Sequence, residues 1–101
     1  MLEIDQMKQL RKLLLECHGL LKTYGEDFWA NEIEEIVGQE NLERMPNSIR
    51  GLFGGMGSFN DLRILEINGH RIKPSEEKIA NRRLDTFRER IFEETMKLSR
   101  M

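Results

Sequence analysis

The sequence predicts a mainly α-helical protein, with an α+β fold as the alternative. Apolar residues recur every three or four positions over long stretches at both ends of the chain, as on one face of an amphipathic helix. Between these stretches lies a short apolar, β-branched segment followed by Asn68-Gly69, a pair typical of hairpin turns. We therefore expect about four helices with a short β-hairpin or extended segment before the last one, in a single domain covering residues 1–101.

The first predicted helix covers Leu2 to Tyr24, and Gly25 directly after it can adopt the left-handed conformation that ends helices. Its apolar residues share one face: Met7, Leu10, Leu14, Cys17 and Leu21, widened by Leu13 and Leu20. Packing within a small bundle is the main interpretation of this face. A homodimer through the first helix is the alternative, because the spacing also resembles coiled-coil heptads.

The second and third predicted helices are shorter. The second covers about Asp27 to Val37, and Glu26 favours its N-terminus through the helix dipole. Its expected inner residues are Trp29, Ile33, Ile36 and Val37. The third lies near Pro46 to Phe53, since proline is accepted in the first turn of a helix, and Gly54-Gly55 ends it.

The last predicted helix begins near Ser75, a suitable N-cap followed by two glutamates. Its apolar side is expected to contain Ile79, Leu84, Phe87, Ile91, Phe92, Met96 and Leu98. Asn81 lies close to this side although asparagine is a poor helix former, so an inward-facing Asn81 needs hydrogen-bond partners. We hypothesise that it holds the loop Gly54–Asp61 in place.

The segment before the last helix is predicted to form a hairpin. Leu62 to Ile67 is the first strand, Asn68-Gly69 the turn and His70 to Ile72 a short partner strand. The competing assignment is one helical turn within residues 58–65, because Ser58 followed by Asp61 resembles a capping arrangement.

Composition excludes several classes of protein. The 16 basic and 18 acidic residues give a net charge of −2, which does not favour nucleic-acid binding. No apolar run approaches the ~18 residues of a transmembrane helix, and the acidic N-terminal residues do not suit a signal peptide. The single cysteine, Cys17, cannot form an internal disulfide. We expect a cytoplasmic protein without a nucleic-acid or membrane partner.

No arrangement of residues typical of catalysis or metal binding is found. Cys17 and His18 are adjacent and would point about 100° apart on a helix, so they cannot form a dyad. His18 and His70 are the only histidines, and their spacing resembles no zinc or calcium site. We assign no catalytic residue, metal or cofactor, and enzymatic activity is the less favoured interpretation.

The glycine-rich loop is one candidate site, because glycines allow backbone N–H groups to approach an anion. Its candidate ligand residues are Gly54, Gly55, Gly57, Ser58, Asn60 and Asp61, together with Asn81. The loop lacks a P-loop lysine and matches neither nucleotide-binding fingerprint. The alternative is a packed connection that buries Phe53, Met56 and Phe59, with Ser58, Asn60 and Asp61 hydrogen-bonded to the turn's own backbone.

The second candidate site is the acidic second helix. Residues 24–47 contain seven acids and one base, Arg44, so their formal charge is −6 and the remainder of the chain carries +4. Such a surface can attract a basic protein partner, and Glu32, Glu34 and Glu35 are its candidate residues. A solvated helix face is the alternative interpretation.

The stretch Leu52-Phe53-Gly54-Gly55-Met56-Gly57-Ser58-Phe59-Asn60-Asp61-Leu62 resembles the motif of a family of small bacterial domains of unknown function. Trp29 upstream, Asn68-Gly69 downstream and Asn81 to Leu84 in the last helix also resemble that family, over roughly residues 29–95. The resemblance implies no activity, cofactor or catalytic residue, and it is reminiscent of small accessory or immunity-type proteins. The leading hypothesis is a non-enzymatic protein-interaction domain. The alternative is a small-ligand or phosphate-binding domain, or an enzyme, centred on Gly54–Asp61.

Overall fold

The computed structural model describes residues 2–39, 42–54 and 58–99. It contains the helices α1 (Leu2–Thr23), α2 (Asp27–Val37), α3 (Met45–Leu52) and α4 (Glu77–Ser99). Single 3₁₀ turns occur at Leu42–Arg44, Phe59–Asp61, Glu66–Asn68 and Pro74–Glu76. No strand is present among the described residues, so the predicted mainly helical fold is confirmed.

The two long helices form the centre of the molecule. α1 packs against both α2 and α4, and α3 closes the core against α4 and α2. The apolar face predicted for α1 is confirmed, since Leu10, Leu14, Cys17 and Leu21 are all 0% exposed. Leu15 on the same helix remains half exposed. In the described part of the chain, no helix has the length and apolarity needed to cross a membrane.

The turn between α1 and α2 is set by Gly25 and Glu26. Gly25 has φ +75°, and its N–H donates to the carbonyl of Lys22 at 3.1 Å, which ends α1 as predicted. The Glu26 carboxylate accepts the N–H of Trp29 at 2.9 Å and is the N-cap of α2. The next helix, α3, begins with Pro46 in its first turn, again as predicted.

α4 differs from the predicted last helix in its start and in its buried face. Ser75 lies inside the 3₁₀ turn that leads into α4, so it is not the N-cap. The buried line consists of Ala80, Leu84, Arg88, Ile91 and Thr95. This line follows the helical period, which places Ile79 and Phe92 beside it, 64% and 47% exposed. Arg88 and Thr95 are thus polar residues on the otherwise apolar buried face of α4.

The predicted hairpin is wrong. Leu62 and Leu65 have extended backbone angles, and a 3₁₀ turn at Glu66–Asn68 then ends at Gly69, with φ +89°. The N–H of His70 donates back to the carbonyl of Leu65 at 3.3 Å, but the N–H of the next residue, Arg71, donates to the carbonyl of Tyr24 at 2.9 Å, so no strand pairing continues. The competing assignment describes the start of the segment, since Ser58 caps a helical turn at Phe59–Asp61.

Candidate functional site

The described part of the glycine-rich loop is built around a buried phenylalanine. Phe59 is 0% exposed, and its ring centroid lies 5.4 Å from that of Trp29 and 5.9 Å from that of Phe53. Ser58 is also buried, and its Oγ accepts the N–H of Asn60 at 3.3 Å, a bond within the turn itself. This favours the packed-connection interpretation for residues 58–60.

The remaining predicted loop residues are exposed or lie outside the described residues. Gly54, two residues after the end of α3, is exposed, as are Asn60 and Asp61. Gly55 and Gly57, and Met56, which was expected to be buried, lie outside the described residues. The backbone N–H groups that were predicted to bind an anion therefore lie partly outside the described residues.

Asn81 holds the extended segment rather than the loop. Its Oδ1 accepts the N–H of Ile64 at 2.8 Å, and its Nδ2 donates to the carbonyls of Ile64 at 2.9 Å and Glu77 at 2.7 Å. The side-chain amide thus pairs with both polar groups of one backbone residue, as a neighbouring strand would. The hypothesis that Asn81 holds Gly54–Asp61 is corrected: its partner is Ile64, and this pairing occupies the backbone edge that a hairpin would have needed.

A buried arginine, which the sequence did not single out, holds the backbone on either side of the same turn. Arg88 is 6% exposed, and its Nη1 donates to the carbonyls of Phe59 at 2.7 Å and Leu62 at 3.0 Å. Its guanidinium carbon lies 5.7 Å from the centroid of the Phe59 ring, within cation–π range. The sequence feature that could have predicted its burial is its position between Leu84 and Ile91 on the apolar face of α4.

Asp85 links this arginine to a second one. Its Oδ1 accepts from Nη2 of Arg88, and Nη1 of Arg63 lies 3.1 Å and 3.3 Å from its two carboxylate oxygens. Burial acts to raise the pKa of Asp85, but hydrogen bonds and charges from Arg88 and Arg63 outweigh it and lower the pKa below its ordinary 3.8. The carboxylate therefore stays ionised over the physiological pH range.

A second buried polar pair joins the end of the extended segment to the α1–α2 turn. Nε2 of His70 lies 3.1 Å from Oε1 of Glu26, with the two side chains 7% and 13% exposed. The N–H of Leu65 points at Nδ1 of His70 at 3.0 Å. Nδ1 also lies 3.2 Å from the carbonyl of Leu65. With the imidazole proton on Nε2, Nε2 donates to Glu26 and Nδ1 accepts the N–H of Leu65; with the proton on Nδ1, Nδ1 donates to the carbonyl of Leu65.

Cys17 and His18 have separate environments, as predicted. Burial raises the pKa of the Cys17 thiol from 9.0 to about 12, against an opposing effect of Arg88, so the thiol is protonated and unreactive. Nε2 of His18 lies 3.4 Å from Oε2 of Glu34. No group of three or more His, Cys, Asp or Glu side chains within the described residues is arranged to hold a metal ion.

Two concave surfaces remain as candidate sites. The first, called the arginine cleft below, has a volume of about 430 Å³ and is lined by Phe53, Asn60, Arg63, Asp85, Arg88, Glu89 and Phe92. Of the predicted loop residues that the structure describes, Asn60 lines it. Asn81 borders a separate depression with Leu65 and Glu77.

The second surface, called the acidic groove below, lies between α2 and α3 and also has a volume of about 430 Å³. Phe28, Trp29, Ile36 and Leu52 contribute its apolar lining, and Glu32 and Glu35 its carboxylates. These glutamates share a helix face with Phe28, whereas Glu34 lies beside His18. The structure thus places two of the three candidate partner residues together.

The described residues form a small fold of four α-helices, in which polar residues of the last helix hold a non-helical segment against the core. Residues 22–73, just over half of the 101-residue chain, match the family described as Domain of unknown function (DUF6966), and the chain belongs to this family. No curated protein and no solved structure matches it. The matched residues include the acidic groove, the glycine-rich loop and the extended segment.

Proposed function

We propose that this protein is a non-enzymatic interaction domain of the bacterial cytoplasm that binds a basic protein segment in the acidic groove. The observation that carries the proposal is the combination of an apolar lining and two carboxylates in one groove between α2 and α3. The resemblance to small accessory and immunity-type proteins supports the same class. A reduced cysteine in the core is compatible with a reducing compartment.

The carboxylates of the acidic groove are available to a partner. Glu32 is half-buried and Glu35 is exposed, and neither forms a hydrogen bond or ion pair with the described residues. Other glutamates of the chain are engaged, such as Glu26 with His70 and Glu77 with the N–H of Glu66 at 3.0 Å. Unpaired carboxylates on one helix face attract a basic partner and set its orientation.

The apolar part of the groove supplies contact area. Phe28 is 64% exposed and packs edge-on against Trp29, with ring centroids 5.0 Å apart. An exposed aromatic ring beside a groove is a typical anchor for a partner's apolar side chains. The occupant that fits both features is an amphipathic helix with lysine or arginine beside its apolar stripe.

The test uses a synthetic amphipathic helix of about 18 residues, with leucines at helical spacing and lysines beside them. Trp29 is the single tryptophan of the chain and lines the groove, so its fluorescence reports binding directly. We expect saturable quenching or a spectral shift that weakens as salt is raised, because exposed charges are screened. A matched peptide with glutamate in place of lysine should not bind.

Charge reversal tests the site itself. The double variant Glu32→Lys/Glu35→Lys should lower affinity for the lysine peptide at least about tenfold, which corresponds to ~1.4 kcal/mol. The matched control Glu76→Lys/Glu93→Lys makes the same change in net charge at exposed positions outside the groove and should bind as the wild type does. Equal loss in both variants, or none in either, would contradict the proposal.

Self-association through α1 also remains a proposal. The apolar stripe of that helix is used inside the chain, and among the described side chains of α1, Leu15 is the half-exposed apolar residue available to a second copy. The molar mass from light scattering distinguishes monomer from dimer, and Leu15→Glu should dissociate a dimer formed there.

A further inference from the structure

We propose that the arginine cleft binds a free aromatic α-amino acid, independently of the acidic groove. The cleft combines an aromatic wall, a guanidinium with unused donors and an unpaired carboxylate. An aromatic α-amino acid carries the three complementary groups, which are a ring, a carboxylate and an ammonium.

The aromatic wall is formed by Phe53 and Phe92. Their ring centroids are 5.7 Å apart and the rings are inclined by 76°, an edge-to-face pair that packs the two rings against each other. Phe92 is 47% exposed even though it belongs to the long central helix, so its apolar surface is available. A planar ring placed against Phe92 would cover that surface.

The cationic part is Arg63. Only its Nη1 is engaged, by the two oxygens of Asp85, and Nε and Nη2 make no hydrogen bond to the described residues. The salt bridge to Asp85 holds the guanidinium in place while half of the side chain stays exposed. A guanidinium held in this way can bind a carboxylate through two N–H groups.

The anionic part is Glu89. It is exposed, lines the cleft and has no hydrogen bond or ion pair with the described residues. The neighbouring carboxylate, Asp85, is already shared by Arg63 and Arg88, which leaves Glu89 as the acceptor for an added cation. An anion without an ammonium group would be repelled by Glu89, so the cleft favours a zwitterion.

The order of these groups along α4 matches the arrangement of the charged groups and the ring in an aromatic α-amino acid. Asp85, which holds Arg63, is followed by Glu89 after about 6 Å of helix rise and by Phe92 after about 10 Å. An aromatic α-amino acid presents its two charged groups at one end and its ring at the other. The cleft is also preformed, because Arg88 is anchored to the carbonyls of Phe59 and Leu62.

The test is a ¹H–¹⁵N chemical-shift titration of the full chain with L-phenylalanine, N-acetylphenylalanine and phenylalaninamide. We expect saturable shifts around Arg63, Glu89 and Phe92 with phenylalanine. Dissociation constants at least about tenfold higher are expected for the two analogues, since each lacks one charged group. Absence of saturable shifts with phenylalanine, or shifts outside the cleft, would overturn the proposal.

Variants separate the roles of the three groups. Glu89→Gln should remove the preference for phenylalanine over N-acetylphenylalanine, and Arg63→Gln should remove the preference over phenylalaninamide. Phe92→Ala should weaken all three ligands, whereas Phe28→Ala, an exposed phenylalanine in the acidic groove, should weaken none. Thermal unfolding of each variant confirms that it is folded, and unchanged ligand preferences in folded variants would contradict the assignment. Peptide binding to the acidic groove is measured separately, so either proposal can fail alone.

Discussion

At the scale of the residue, polar side chains of α4 act as partners for a backbone that has no regular secondary structure. Asn81 pairs with Ile64, and Arg88 binds the carbonyls of Phe59 and Leu62. Buried backbone groups must be hydrogen-bonded, and an extended segment without a neighbouring strand satisfies many of them through side chains. These side chains therefore decide where residues 58–65 lie.

Replacing Asn81 tests this function of a single amide. In Asn81→Leu the N–H and carbonyl of Ile64, a residue that is 0% exposed, lose their partner. An unsatisfied buried group costs about 1–3 kcal/mol, so we expect the free energy of unfolding to fall by ~2 kcal/mol or more. Urea unfolding followed by circular dichroism measures this difference.

The matched control is Asn31→Leu, in which an exposed asparagine of α2 is replaced by the same residue. Its free energy of unfolding should stay within about 0.5 kcal/mol of the wild type. An Asn81→Leu protein that unfolds at the wild-type urea concentration would show that Ile64 finds other partners.

Asp85 makes the free energy of unfolding depend on pH in the acidic range. Its pKa is lower in the folded protein than the ordinary 3.8, so its contribution is present above that value and is lost as pH falls through the folded pKa. The wild type should therefore lose more stability between about pH 6 and about pH 3 than Asp85→Asn does. Urea unfolding at both pH values gives the comparison.

The control for Asp85 is Asp5→Asn, which removes an exposed carboxylate of α1. This variant should show the acid dependence of the wild type. If Asp85→Asn also follows the wild-type dependence, the two arginines do not stabilise the ionised carboxylate in the folded state.

At the scale of the element, helices could be predicted from the sequence and the connection before α4 could not. The period of Leu10, Leu14, Cys17 and Leu21 repeats over several turns, and local spacing is enough to define such an element. Asn68-Gly69 is compatible with a hairpin turn and with the end of a 3₁₀ turn. Which of the two forms depends on the tertiary contacts of the neighbouring backbone. Here the Asn81 side chain hydrogen-bonds the backbone of Ile64, a residue that lies seventeen positions earlier in the chain, so Ile64 is not free to pair with a second strand.

The same limit applies to the candidate sites. The acidic character of α2 could be predicted from the sequence. The position of Glu34 beside His18 of α1, away from Glu32 and Glu35, depends on how α1 and α3 pack against α2. The arginine cleft was missed because Arg63 and Glu89 are distant in sequence and each resembles an ordinary surface charge. Burial of Arg88 had a local signal, its place on the apolar stripe of α4.

Glycine substitutions test how the elements end. Gly25 and Gly69 have positive φ, so alanine at either position should lower the free energy of unfolding by about 1–2 kcal/mol. Gly19→Ala lies within α1, where a Cβ would meet no atom within 4 Å, and should raise it by about 0.5–1 kcal/mol. Thermal or urea unfolding measures all three. A destabilising Gly19→Ala or neutral variants at Gly25 and Gly69 would contradict this account.

At the scale of the whole molecule, the net charge of −2 results from cancellation between two regions. Residues 24–47 carry −6 and contribute the carboxylates of the acidic groove, and the rest of the chain carries +4. The arginine cleft, in contrast, is lined by residues from the loop, the extended segment and α4. Among the described residues, the acidic groove is lined by two carboxylates and no base, whereas the arginine cleft is lined by two arginines and two acids. The two surfaces have different residues and a different charge balance, and therefore suit ligands of different charge.

The family match does not cover the whole hydrophobic core. Residues 22–73 contain α2, α3 and the extended segment, but the core also requires Leu10 and Leu14 from α1 and Leu84 and Ile91 from α4. A peptide of 22–73 would expose the inner faces of its helices. At 52 residues it is close to the ~40-residue size below which a single core rarely suffices.

We therefore predict that the isolated fragment 22–73 does not fold. It also lacks Asn81 and Arg88, so the carbonyls of Phe59 and Leu62 and the backbone groups of Ile64 lose their side-chain partners there. Circular dichroism should show low helicity and no cooperative urea transition, whereas the full chain should unfold cooperatively. Trp29 in the fragment should not respond to the lysine peptide, because the acidic groove needs α2 and α3 held together by α1 and α4. A cooperative transition of the fragment would instead show that the matched segment is a domain by itself, to which α1 and α4 are additions.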